Sequence, residues 1–342
     1  MRLLFGIYHP KDVYFFKNII NRLINEDHEI KIVSQDKDVT LELLTRFGFN
    51  FEIIKRTCGR LTGKLRSLIR SNLHLIRVAK DFKPDIFIHG SSLAQVSKIF
   101  GKPHIDYCDT EHAILAHIAT FPFSDIVCTP SCFKGKIYSK KHIMFDGYSE
   151  LAYLHPNYFK PDKSVLDELG LTKGEDFVVV RFVSWKATHD IGQIGIINKK
   201  ELIEKLNNYV RIVISSESKL PRDLEKYKIS LPPHRIHDLL YYASMYIGEG
   251  ATMASEAAIL GTISLYINSL KLGYLEDIEK NYGLIYNFND PLRARRIVIS
   301  KAIEMLNENN LKKRARKKSK KLIKEKIDVT KFMTNLIKNF NN

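Results

Sequence analysis

Along the first half of the chain, dense runs of aliphatic and aromatic residues alternate with stretches whose apolar positions recur every three or four residues. The dense runs predict strands over 2–8, 29–33, 51–54, 85–89, 104–107 and 125–128. Between them, Tyr14, Phe15, Ile19, Ile20, Leu23 and Ile24 fall at helical spacing, 39–47 reads as a second helix and 64–82 as a long basic one. The rhythm lapses over 147–161, where Pro156 and Pro161 punctuate a stretch with no clean period. It then restarts, with strands expected over 177–183, 210–215, 245–247, 263–267 and 284–286. Helices are expected over 199–207, 236–243, 252–260, 292–306, 311–326 and 329–340. Such alternation predicts an α/β fold, with mostly parallel sheets covered on both faces, in domains spanning 1–155 and 165–326.

At 342 residues the chain is long enough for two domains that each bury a full core. Apolar residues at 44% and charged residues at 27% exclude a disordered polymer, a collagen-like fibre and a small disulfide scaffold. Charge changes the picture more. Lys and Arg number 54 against 38 Asp and Glu, and the excess of +16 favours anionic partners: nucleotides, nucleotide sugars, nucleic acid or an acidic membrane surface. No run approaches the roughly 18 apolar residues of a spanning helix. The opening residues lack the small-residue cleavage site of a signal peptide. Cys58, Cys108, Cys128 and Cys132 read as reduced thiols, and the cytoplasm is the expected location.

Ligands of doubly wound sheets gather beyond the carboxyl ends of the strands, so the polar residues there carry the candidate chemistry. The sharpest segment is Gly248-Glu249-Gly250-Ala251-Thr252-Met253-Ala254-Ser255-Glu256. Its glycines let the backbone approach a ligand, Thr252 stands where a helix N-cap is wanted, and first-turn amides suit a phosphate. Glu256, one turn on, is placed to accept hydrogen bonds from ribose hydroxyls; the alternative is a well-capped turn with a solvated glutamate. Arg181, Lys186, His189 and Asp190 cluster with the sole tryptophan, Trp185, after the first strand of the second half. That cationic set suits a diphosphate, with His189 donating to a leaving phosphate, or else forms an exposed loop in which Asp190 pairs with Lys186.

In the first half, Asp106, Asp109 and Glu111 converge at the end of one predicted strand, beside His104 and His112. Neighbouring carboxylates raise one another's pKa, which yields a general base. Two other readings stand: Asp109 or Thr110 caps a helix that starts at Glu111, or the set binds a metal, although no His-x3-His or Cys-x2-Cys spacing supports one. Gly6 and His9, after the first strand, are candidates to face the same cleft, and Pro10 with Asp12 suits a helix start. Cys128 and Cys132 have the wrong gap for a zinc knuckle and read as structural. The run from Lys312 to Lys326 dominates the excess charge. It reads as a solvated helix face, as a peripheral contact with an anionic membrane or, lacking interleaved aromatics, least readily as a nucleic-acid surface.

Several of these segments carry a resemblance: Gly6-Ile7-Tyr8-His9-Pro10-Lys11-Asp12-Val13, Asp109-Thr110-Glu111-His112-Ala113, Cys128-Thr129-Pro130, and the stretches 120–125, 147–156, 181–190 and 248–261. Together, over residues 1–290, they resemble a mostly archaeal family catalogued as a domain of unknown function. That family is in turn similar to the GT-B superfamily, which includes the glycosyltransferase that makes lipid II and the non-hydrolysing UDP-N-acetylglucosamine 2-epimerases. The resemblance implies two Rossmann-like domains facing a cleft, with a C-terminal helix over 327–342 crossing back to the first. It also implies a nucleotide sugar, UDP-linked, held by the second domain, with Glu256 at the ribose and Gly250, Ala251 and Thr252 near the diphosphate. His189 sits where the epimerases carry a histidine, whereas His104 and Asp106 replace their His-x-Glu. The function expected is therefore glycosyl transfer to an acceptor whose proton goes to Glu111 or Asp109, with no cofactor or metal required. Epimerisation at the sugar C2 is the alternative, and a non-enzymatic protein binding sugar nucleotides or nucleic acid is the third.

Overall fold

The computed structural model describes residues 1–54, 61–172, 174–183, 193–216 and 219–340. The chain divides into two compact units, one of residues 1–153 with 327–342 and one of residues 154–326.

The first unit contains β1 (Arg2–Ile7), α1 (Pro10–Asn25), β2 (Glu29–Ser34), α2 (Thr40–Arg46), β3 (Phe51–Ile53), α3 (Leu61–Phe82) and β4 (Ile86–Ile88). It continues through α4 (Ser91–Ile99), β5 (His104–Tyr107), α5 (Ile114–Thr120), β6 (Ile126–Pro130), β7 (Lys141–Phe145) and α6 (Leu151–Leu154). The strands form one sheet in the order β3-β2-β1-β4-β5-β6-β7, all neighbours parallel. Central strands such as β1 and β4 are buried on both faces, which is why they read as continuous apolar runs. β7 has no such run, because it is an edge strand with Lys141, His142 and Met144 in water.

The second unit contains α7 (Ser164–Glu168), β8 (Phe177–Phe182), α8 (Lys199–Asn207), β9 (Arg211–Ser216), α9 (Arg222–Glu225), α10 (Ile236–Tyr242) and β10 (Met245–Gly248). Then follow α11 (Ala251–Ile259), β11 (Ile263–Ile267), α12 (Gly273–Tyr282), β12 (Ile285–Phe288), α13 (Pro291–Leu306) and α14 (Leu311–Glu325). The sheet order is β12-β11-β10-β8-β9, again all parallel. In each sheet the winding reverses once, between β1 and β4 and between β8 and β10. Helices leave those two strands on opposite sides, so a crevice opens beyond their carboxyl ends.

The last helix, α15 (Val329–Lys338), returns to the first unit and packs on α1. Its Val329, Met333 and Ile337, spaced by four, are fully buried, and Phe332 meets the Phe145 ring. The Thr330 hydroxyl and the Asn18 amide both donate to the Ala152 carbonyl, at 2.7 and 2.8 Å. The basic helix α14 is less solvated than its composition suggests. Leu311, Ala315, Ser319 and Leu322 are buried, and the polar residues beside them bond the C-terminal carbonyls of three other helices. Arg316 donates to Tyr241 O of α10, Ser319 to Ile259 O of α11 and Lys318 to Gly283 O just beyond α12. Lys313, Lys317, Lys320 and Lys324 remain outside.

Candidate functional site

Beyond β10 the chain turns through Gly248, Glu249 and Gly250 into α11. A Cβ on Gly248 would lie 2.4 Å from the Tyr246 hydroxyl and 2.9 Å from Arg181 Cβ, so the turn requires glycine there. Gly250 has room for a side chain, its nearest neighbour being 3.6 Å away. Gly250, not Thr252, is the N-cap; Thr252 lies inside the first turn, and no side chain caps the helix. The amides of Ala251, Thr252 and Met253 thus meet no capping side chain, and that end of the helix favours an anion. The Tyr246 hydroxyl donates to the Gly250 carbonyl at 3.1 Å and props the turn.

Glu249 is buried, and it spans the reversal. Its carboxylate accepts the amides of Val183 and Ile196, each at 2.9 Å, with the Lys199 ammonium 3.8 Å away. It thereby ties Val183, next to the end of β8, and Ile196 to the start of α11. Arg181, at the end of β8, donates to Ser215 Oγ at 2.6 Å. Glu256 is 5% exposed, and its Oε1 lies 2.9 Å from Nε2 of His237 on α10. The Phe159 ring stands edge-on to that imidazole. The carboxylate therefore points into the unit rather than into bulk solvent.

In the first unit the reversal between β1 and β4 gathers a second polar set. His89, following β4, has φ 63 and Gly90 has φ 95. A Cβ on Gly90 would strike the Tyr8 ring at 2.3 Å, so this left-handed pair requires glycine at its second position. His89 Nδ1 lies 2.9 Å from Asp106 Oδ1, and its Nε2 lies 3.6 Å from Asp12 Oδ1. Burial alone would push this imidazole pKa down; Asp12 and Asp106 outweigh it and raise it to about 10. Beside this group, Asp109 accepts from the Lys11 ammonium, the Ser149 hydroxyl and the Tyr107 hydroxyl, the last at 2.8 Å. Burial would raise the Asp109 pKa, but Lys11 and these donors bring it to about 2. Glu150, also buried, lies 3.8 Å from Lys11.

These facts correct the expected electrostatics. Asp106 and Asp109 are both held below the usual carboxylate range rather than raised. Burial acts on Asp106 in the upward direction, and its own cation, His89, overcomes it and holds the carboxyl below the usual range. His104 is buried with Nδ1 3.0 Å from Ser124 Oγ, and desolvation pushes its pKa down to about 4. A Cβ on Gly6 would lie 2.6 Å from the His89 carbonyl and 2.7 Å from the Tyr8 ring, so close packing requires glycine there. His9 is the N-cap of α1, accepting the Lys11 amide at 3.2 Å while Asp12 accepts the amides of Tyr8 and His9. The helix expected from Glu111 begins instead at Ile114 behind Ala113, which leaves Glu111 and His112 in a turn. Glu111 accepts the Lys134 amide at 3.4 Å.

A family model described as "Protein of unknown function (DUF354)" matches residues 4–341. The chain belongs to that family. MJ0665, an uncharacterized protein of Methanocaldococcus jannaschii, is 26% identical over 274 residues, covering 75% of this chain and 80% of that protein. Among solved structures, S. aureus MnaA with UDP is similar at TM-score 0.67 and 11% identity, over 100% of this chain and 97% of that one. The M. jannaschii UDP-GlcNAc 2-epimerase, in complex with UDP-GlcNAc and UDP, is similar at TM-score 0.64 and 12% identity, over 90% and 94%. The spinosyn rhamnosyltransferase SpnG, complexed with spinosyn aglycone, is similar at TM-score 0.62 and 12% identity, over 100% of both chains. At such identities the likeness is one of fold: two parallel sheets flanked by helices, GT-B-like, with the C-terminal helix packed on the first unit.

Within this DUF354 chain the second reversal brings Arg181 against Gly248 and Gly250, with Ala251 and Thr252 opening α11 beside them, while Glu256, further along α11, meets His237 of α10. Lys186, His189 and Asp190 lie outside the described residues, as does Cys58. Sequence reasoning passed over His89, Lys11, Ser149, Glu150, Glu249 and His237. Two of these had a local signal, His89 ending an apolar run before a glycine and Glu249 standing between two. Lys11 and Glu150 had none, since 98 residues separate Lys11 from Asp109 and 139 separate it from Glu150.

Proposed function

We propose that this DUF354 protein acts on a nucleoside-diphosphate sugar, UDP-linked, and that its chemistry is of the 2-epimerase type. The carrying observation is the reversal between β8 and β10: uncapped α11 amides beside Arg181, with Glu256 held on His237 behind them. The amides and Arg181 meet the diphosphate charge. Ribose hydroxyls donate to Glu256, whose orientation His237 maintains. Solved proteins of this fold hold UDP or UDP-GlcNAc, which supports the same ligand class.

Epimerisation at C2 breaks the C2–H and C1–O bonds, releases the nucleoside diphosphate and re-adds it after a proton returns to the other face. That sequence needs an acceptor and a donor of protons, and the fold shared with the M. jannaschii UDP-GlcNAc 2-epimerase favours this chemistry. Transfer to an acceptor fits less well, because Asp109, the expected base, is held ionised with a low pKa and its oxygens are occupied by donors. The test is incubation with UDP-GlcNAc in deuterated water. Deuterium is expected at C2 of the recovered nucleotide sugar. Glu256→Ala should weaken UDP binding about tenfold in calorimetry, the scale of a lost charged hydrogen bond. Acceptor-dependent release of UDP without deuterium exchange would assign transfer instead. Unchanged UDP affinity in Glu256→Ala would sink the nucleotide site itself.

A further inference from the structure

The first unit exposes a patch that the nucleotide-sugar reading does not use. On α5, Ile114, Leu115 and Ile118 are 63%, 77% and 65% exposed. The opposite side of this helix is anchored: Gln95 donates to the Ala119 carbonyl, and the His117 ring stacks on Phe121 with centroids 4.6 Å apart. The three aliphatic side chains are therefore presented to water by a fixed backbone, and such a cluster marks an interaction site rather than chance exposure. Residues 113–124 contain no Lys, Arg, Asp or Glu.

A basic segment lies alongside. Residues 131–144 carry Lys134, Lys136, Lys140 and Lys141 and no carboxylate. The Lys134 amide donates to Glu111 and the Phe133 ring lies 6.3 Å from that of His117, which sets the segment beside α5. Lys140 is taken by Asp125, whereas Lys136 and Lys141 are exposed. We propose that the α5 face with this lysine segment docks on an anionic lipid surface, the aliphatic side chains entering the headgroup boundary and the ammonium groups meeting lipid phosphates. Charge selects this occupant. A second copy would bring the same lysines face to face on a chain already at +16. The basic helix α14 is a poorer insertion element, because its apolar residues are buried in the second unit.

The test is flotation of the full chain with phosphatidylcholine vesicles, with and without phosphatidylglycerol. Binding is expected only with phosphatidylglycerol and is expected to weaken with salt. Leu115→Asp with Ile118→Asp should reduce it about tenfold or more, and Lys136→Glu with Lys141→Glu should also reduce it. Lys317→Glu with Lys320→Glu on α14 should leave it unchanged. All three pairs are exposed, so circular dichroism melts should match the parent and exclude unfolding as the cause. Absence of flotation, or loss in the α14 variant alone, would overturn the proposal. So would a dimer in sedimentation that Leu115→Asp dissociates, which would give the patch to a second copy. Failure here leaves the UDP-binding test untouched.

Discussion

His89 concentrates the physics of the first unit in one side chain. Its backbone is left-handed, a conformation that costs a non-glycine residue of order 1 kcal/mol, and its ring lies between Asp12 and Asp106. The folded pKa, about 10, stands above the unfolded value of about 6.5. Its contribution to stability is therefore complete below about pH 6.5 and is lost as the pH rises towards 10. His89→Asn should destabilise the protein by about 3 kcal/mol near pH 6, since it leaves the buried Asp106 carboxylate without its cation and removes a partner of the partly buried Asp12. In urea titrations the gap between variant and parent should narrow between pH 7 and 10; a gap constant with pH would refute the charged pair. At this scale the glycine at Gly248 was legible, because glycine at a strand end is a local pattern, whereas the burial of Glu256 against His237 was not. The ionisation of Asp109 was not, because Lys11, which decides it, lies 98 residues away in sequence.

Among the elements, α14 and α15 show why composition misleads. Both have one apolar face, but that of α14 is thin and set among lysines, so it reads as solvated. Its Leu322 is nonetheless fully buried, and Ser319, Arg316 and Lys318 close the carbonyl ends of α10, α11 and α12. Helix ends leave carbonyls that need donors, and only the packed structure shows which donors reach them. Chemical denaturation separates the two faces. Lys317→Glu with Lys320→Glu should stay within about 0.5 kcal/mol of the parent, whereas Leu322→Ala should cost about 2–4 kcal/mol. Met333→Ala on α15 should cost a similar amount, as Met333 is fully buried on a helix that packs on α1. β7 escaped the sequence reading for the converse reason: an edge strand half in water has no apolar run to betray it.

The molecule as a whole consists of two units, each with its own parallel sheet and its own reversal of winding. Hydrogen exchange should therefore find two slow cores, one in β1, β4 and β5 and one in β8, β10 and β11, where strands are paired on both sides. A single slow core confined to one sheet would contradict this. Most strand positions and the longer helices, β7 and α12 excepted, the parallel class of both sheets and the turn at Gly248 could be read from the chain, because periodicity and turn chemistry act over a few neighbouring residues. Folding alone chose which cation ionises which carboxylate, which helix ends the lysines of α14 close and which aliphatic face stays in water. Those outcomes depend on distance and burial among segments far apart along the chain, and no local pattern encodes them.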